Sequence, residues 1–260
     1  MRVRAICCEI VFREACLVAA NSPLVIDFDF LRKGLHNLGA EKMRAGIQEA
    51  VDAVDPAKYE ATVLGYALCN NGLAGVKATR TKLVIPRAHD CISFFLGSAR
   101  RYQEYFDSHP GTYFRTSGWS ERDLAGDNEG AVHDQLGPSR TYEELVEKYG
   151  EDNAKYIFET LGGWKSSYSR LTYIDMGLAS DAAHIRRAEE EAQTNGWTFE
   201  RVEGDWRLLK DLFEGRWDSD EFLVVEPGQT IEPSHDSCIL RCGGARGPVR
   251  RSLGEGGGTP

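Results

Sequence analysis

Long apolar runs are missing from this chain. No window approaches the ~18 consecutive apolar residues that a membrane-spanning helix needs. The opening Met1-Arg2-Val3-Arg4-Ala5-Ile6-Cys7-Cys8-Glu9 meets a carboxylate where a secretory leader would stay apolar, so it reads as a first core strand. Basic blocks are missing too. The formal net charge is −9, and Arg246-Gly247-Pro248-Val249-Arg250-Arg251 is too short and Gly-rich to neutralise a phosphate backbone, which excludes a nucleic-acid scaffold. No phosphate-binding glycine loop follows the first strand and no Gly-x-Ser-x-Gly elbow occurs, which disfavours a dinucleotide fold and a serine hydrolase. No repeat recurs at a fixed period.

What is present is cysteine. The seven are Cys7, Cys8, Cys16, Cys69, Cys91, Cys238 and Cys242. An odd count without an export signal reads as reduced thiols of a cytoplasmic protein, not a disulfide framework. The 260 residues suffice for one large domain or two small ones with a full core.

Apolar periodicity alternates along the chain. Strands are predicted at 2–8, 24–30, 61–67 and 82–87, with helices at 10–20, 40–54 and 91–107 between or after them. The second half repeats the theme, with strands at 111–116, 171–176, 198–202 and 221–225 and helices at 141–149, 151–162, 180–195 and 205–213. The polar stretch 120–139 has loop composition and the length of a lid or insertion. Strands alternating with helices predict an α/β fold with a mainly parallel, doubly wound (Rossmann-like) sheet in one or two lobes. The expected organisation is an N-terminal half at 1–115, a C-terminal half at 116–230 and a flexible tail at 231–260.

Soft ligands collect at the predicted strand ends. Cys8 and Glu9 end the first, His36 lies past the second, Cys69 closes the third, and His89, Asp90 and Cys91 follow the fourth. In a parallel sheet all of them gather on the carboxyl edge, where open α/β folds bind ligands. Thiolate and imidazole favour zinc, iron or copper over magnesium or calcium. Three protein ligands with one open position would make a catalytic site, and four a structural one. Cys69, His89 and Cys91 are the first-choice ligands, completed by Cys8 or His36. Glu9 or Asp90 would then serve as general base or as the carboxylate that orients a ligating histidine, the commoner role. Arg87 is the candidate for holding an anionic substrate group. Tyr113 and Trp119 are placed in the pocket wall or in the core.

Plainer readings stand beside these. A buried cysteine packs as a small hydrophobe, and Cys7 and Cys8 point to opposite faces of a strand. Lone His36 reads more readily as a surface loop histidine than as a ligand, and Cys69 reads also as part of a turn with Asn70-Asn71-Gly72. Asp90 suits the N-cap of the following helix, which would set the Cys91 thiol in a first turn where the dipole lowers its pKa. Cys238 and Cys242, with three residues between them and His235 nearby, read as a redox-inert tail before a metal knuckle.

Several blocks carry a family resemblance. They are Gly65-Tyr66-Ala67-Leu68-Cys69-Asn70-Asn71-Gly72, Pro86-Arg87-Ala88-His89-Asp90-Cys91-Ile92, Leu96-Gly97-Ser98, Pro110-Gly111-Thr112-Tyr113 and Gly118-Trp119, with Cys8-Glu9 and Leu35-His36 upstream. Over roughly residues 3–227 the chain resembles the uncharacterised family DUF1638. It departs at Ala67 and Asn70, where that family more often has glycine. The resemblance implies bacterial or methanogen company with corrinoid-dependent methyl-transfer systems. It thereby points to a small-molecule substrate and to a corrinoid protein or methyltransferase as partner. Fold-level likeness supplies no function by itself.

The expectation is a cytoplasmic zinc metalloenzyme, with iron or cobalt/corrinoid as other cofactors, acting as a transferase, lyase or hydrolase in one-carbon metabolism. Thiolate-bound zinc with an open position activates a thiol, a carbonyl or water. Two other classes remain open. One is a non-catalytic metal or corrinoid carrier; the other is a metal-free enzyme with Cys91 or Cys69 as nucleophile and His89 as base.

Overall fold

The computed structural model describes residues 1–69, 71–124, 146–147, 150–151 and 167–244. Three sheets organise them.

The first sheet is the frame of the site. Its strands are β1 (Arg2–Cys8), β2 (Val25–Leu31), β3 (Ala61–Gly65), β4 (Lys82–Pro86) and β8 (Phe222–Val225), in the order β2-β1-β3-β4-β8. The first four run parallel, and β8 closes the edge antiparallel to β4. β3 is buried along its whole length, as a central parallel strand covered on both faces should be. On β2 the alternation is visible. Asp27 and Asp29 receive Arg2 and Arg4 of β1, while Phe28 and Phe30 stack with ring centres 5.1 Å apart on the opposite face.

Helix α1 (Phe12–Ala19) follows a 3-10 turn at Glu9–Val11, and α2 (Ala40–Asp52) follows another at Lys33–Leu38. After β4 a single helix was expected over 91–107. Two form instead, α3 (Ile92–Leu96) and α4 (Ala99–Ser108). Gly97 adopts φ +79 and terminates α3, and the Ser98 hydroxyl accepts the Arg101 amide at 3.0 Å to start α4.

The second sheet, β5-β6-β7, is parallel throughout: β5 (Thr112–Arg115), β6 (Arg170–Asp175) and β7 (Thr198–Glu203). Helix α6 (Asp181–Asn195) connects β6 to β7, and α7 (Arg207–Glu214) leads back to the first sheet. A small core of Leu171, Tyr173, Ala188, Ala192 and Trp197 belongs to this sheet alone. The other face of β6 contributes Ile174 to the main core. Helix α5 (Ser117–Leu124) runs into the stretch expected as a loop. The remainder of that stretch, 125–139, and nearly all of the two helices expected at 141–162 lie outside the described residues.

The segment from 231 onward, expected to be flexible, begins with structure. β9 (Thr230–Pro233) and β10 (Leu240–Gly243) form an antiparallel hairpin, with Ile231 and Leu240 buried. Among the described residues no helix is long and apolar enough to cross a membrane.

Candidate functional site

The strand order turns back on itself between β1 and β3: the chain steps from β1 outward to β2, then over β1 to β3. At such a reversal the loops leaving the two strands diverge in opposite directions, and their carboxyl ends are where open α/β sheets commonly bind ligands. Cys8 ends β1 at this point, and Tyr66 to Cys69 leave β3 beside it. Neighbouring Cys7 points away, its thiol seated against Gly65, where no Cβ would fit.

Cys8 is buried, and its Sγ lies 3.5 Å from His36 Nε2. The imidazole sits between two aromatic rings, with centroids 6.2 Å from both Tyr66 and Trp119. Burial pushes the Cys8 thiol up to about 12, and adjacent Glu9 acts in the same direction while Lys33 and Arg122 oppose both. Burial lowers His36, against the pull of the Asp90 carboxylate. As they stand, the two groups are a neutral thiol against a neutral imidazole.

Cys69 and Cys91 form the facing wall. The chain after β3 is laced to the chain after β4 by the Leu68 amide on the Ala88 carbonyl at 2.9 Å and the Cys69 amide on the His89 carbonyl at 3.1 Å. This clamp holds Cys69 at φ +46, a left-handed conformation that costs an L-residue about 1–2 kcal/mol. Asn71, next but one, has φ +65, the tolerance its residue type predicts.

Asp90 stands one residue before the N-cap position of α3, which Cys91 occupies, and its Oδ1 accepts the Ile92 amide at 2.8 Å, an Asx-type bond that braces the first turn without being the expected cap. The expected lowering of Cys91 does not occur. Its thiol is raised, first by burial and then by Asp90, onto whose Oδ1 it points at 3.5 Å. A helix of five residues has little dipole to set against both. Cys69 is raised for the same reasons, and a negative charge on Cys8 would push Cys69 and Cys91 further still.

Other candidates occupy different places. His89 is exposed and contributes its main-chain carbonyl, not its ring, to the wall. Arg87 gives its guanidinium to the carbonyls of Ser219, Cys238 and Leu240, tying the hairpin to β4. Glu9 sits at the rim, where Oε1 accepts the Lys33 amide at 2.7 Å and Oε2 faces Arg122 at 3.5 Å. Cys238 and Cys242 are exposed on the hairpin. As the side chains are placed, no three of His, Cys, Asp and Glu among the described residues are grouped closely enough to hold a metal ion.

Two participants had no signal in the sequence pattern. The Tyr66 hydroxyl is buried among Cys7, Cys8 and Cys69 without a hydrogen-bond partner. Lys33 is buried with its ammonium 5.3 Å from the centre of the Trp119 ring. Tyr66 reads from sequence as strand filler, and only packing shows its oxygen orphaned.

A cavity of about 270 Å³ adjoins the wall, lined by Asp90, Tyr102, Phe106, Phe114, Trp119 and Tyr168 among others. Asp90 therefore has the thiols on one side and an aromatic cleft on the other.

Residues 30–213, more than half of the chain, match the model of a family described as a protein of unknown function, DUF1638. No curated protein and no solved structure matches the chain.

Proposed function

The chain belongs to the DUF1638 family, and within it we propose that Cys8, His36, Cys69 and Cys91 form a soft-metal centre, zinc first, in a metalloenzyme acting on a small molecule. The observation that carries this reading is the buried approach of Cys8 Sγ to His36 Nε2 at 3.5 Å, opposite two further buried thiols. Three thiols and an imidazole are the donor set zinc and iron prefer. A cation would also reverse the local electrostatics. Burial and mutual repulsion keep the thiols protonated, and a divalent ion stabilises the thiolates it binds while releasing their protons.

The Tyr66 hydroxyl is a ready donor to a thiolate, and Asp90 orients Cys91 beside the cleft through which substrate would arrive. The reaction class we propose is transfer of a methyl or other one-carbon group, with a corrinoid protein or methyltransferase as partner, in a reducing, cytoplasmic setting that keeps seven thiols free. The matching architecture is a doubly wound sheet whose switch point lies between β1 and β3.

A second reading rests on the same 3.5 Å contact. Cys8 is a nucleophile and His36 its base, with no metal. Elemental analysis of anaerobically purified protein separates the two. About one zinc or iron per chain, lost in Cys8→Ser, Cys69→Ser and Cys91→Ser but kept in Cys16→Ser, is the expected result. An absence of metal after reconstitution would sink the first reading and leave the Cys8–His36 pair.

A further inference from the structure

The cleft beside Asp90 has an unusual lining. Tyr102 and Phe106 lie four residues apart on α4, so they share one helix face. Phe114 comes from β5, Trp119 from α5, and Tyr168 from the segment entering β6. These rings lie at the edge of the cores, not inside them. Phe106 is 45% exposed and the other four are half-buried, so ring surface faces the cleft. Among them stands the Asp90 carboxylate, fixed through Oδ1 by the Ile92 amide.

Ligand classes can be weighed against this lining. An anion would meet Asp90, and the one guanidinium among the described lining residues, Arg115, is already bound to Glu191 through two bonds of 2.9 and 3.0 Å. A neutral apolar molecule would desolvate Asp90 and give it nothing in return. A small hard cation needs about six oxygens, and aromatic rings supply none. An alkylated ammonium satisfies every wall at once. Its charge faces the carboxylate, and its weakly hydrated, partly positive methyl groups lie on ring faces.

The chain itself uses these surfaces in this way. The Lys33 ammonium lies 5.3 Å from the Trp119 ring centre, and the Arg115 guanidinium 4.9 Å from that of Tyr113. The volume, about 270 Å³, falls at the lower edge of ordinary ligand pockets and suits a molecule of few heavy atoms.

We infer that this aromatic cleft binds a small alkylated ammonium cation, with Asp90 as its counter-ion. The inference deepens the metal-centre reading and rests on it for the ligand's role as substrate; the binding itself needs only the cleft. Asp90 adjoins Cys91, so the cationic end of the ligand lies alongside the thiol wall.

Choline and its neutral isostere dimethylbutanol are the probes, titrated calorimetrically and by tryptophan fluorescence into full-length protein whose metal content is measured on the same preparation. The expected result is saturable choline binding, with the isostere about tenfold weaker and Asp90→Asn weakened to a similar degree. Phe106→Ala, an exposed position whose loss leaves the thiol wall untouched, should weaken choline binding severalfold. Equal affinity for choline and the isostere, no saturable binding of choline, or binding unchanged in both variants would overturn the inference. Metal without choline binding defeats this inference alone, whereas choline binding without metal defeats only the metal centre.

Discussion

Gly118 rests directly on the carbonyl oxygen of Ile10, so closely that a Cβ at position 118 would overlap it. This contact seats α5 on the turn that follows β1, and with α5 come Trp119 against His36 and Arg122 against Glu9. The end of β1 is therefore covered by a helix whose approach depends on a missing side chain.

Replacing that glycine is the sharpest test of the wall. Gly118→Ala should cost at least the 1–3 kcal/mol typical of overpacking, about that in a urea titration, because the obstacle is main chain and cannot rotate away. Tryptophan emission should shift toward the solvent-exposed value as Trp119 leaves His36. Unchanged stability and emission would mean that α5 is not seated there.

The same seam contains a buried acid. Glu14 of α1 is wholly inaccessible, its Oε1 accepts the Ser117 hydroxyl at 2.9 Å, and its Oε2 has no partner. Burial raises its pKa from 4.5 to about 7, and Asp181 and Glu121 act in the same direction. The folded chain thus holds a proton that the unfolded chain releases. The associated stability is present in full below 4.5 and lost as the pH rises to about 7. The loss is of order 3 kcal/mol across that window. Glu14→Gln should flatten this part of the pH–stability profile and raise the melting temperature at pH ~8 while changing little at pH ~4. A variant profile parallel to wild type would refute the assignment.

Thiol reactivity should divide the cysteines in two. In metal-free protein at pH ~8, the exposed Cys16, Cys238 and Cys242 should be alkylated by iodoacetamide well before the buried four. With its pKa pushed up to about 12, Cys8 has about one thiolate in ten thousand at that pH. Peptide mass spectrometry over a time course reads the order directly. Rapid labelling of Cys8 would show that His36 removes its proton in the folded chain, which favours the nucleophile reading.

Arg87 tests whether a guanidinium next to the site serves substrate or scaffold. Its bonds to the Ser219, Cys238 and Leu240 carbonyls predict that Arg87→Ala loosens the β9–β10 hairpin at a cost of about 1–2 kcal/mol. Limited proteolysis should cut first near 234–239 while metal content stays at the wild-type level. Lost choline affinity with an intact hairpin would restore it to the substrate side.

The sequence by itself determined most of the regular elements of the first sheet and the strand edge at which its cysteines and histidines gather. Period-two alternation marked β2, continuous apolar runs marked β3 and β4, and the change to helical spacing marked α2, because burial on one or two faces leaves those patterns. The break at Gly97-Ser98 was equally legible as a left-handed stop followed by a hydroxyl cap, although apolar periodicity alone reads straight through it. Only the tertiary structure decided which donors face one another. His36 and His89 both follow strand ends, but past the last ladder hydrogen bond no period dictates orientation. Packing between Tyr66 and Trp119 turns His36 inward, and the clamp on Cys69 uses His89's carbonyl while its ring stays exposed. Arg87 likewise answers to carbonyls more than 130 positions away in the chain. The aromatic cleft combines α3, α4, β5, α5 and the entry to β6, elements far apart in the chain that only tertiary packing brings together.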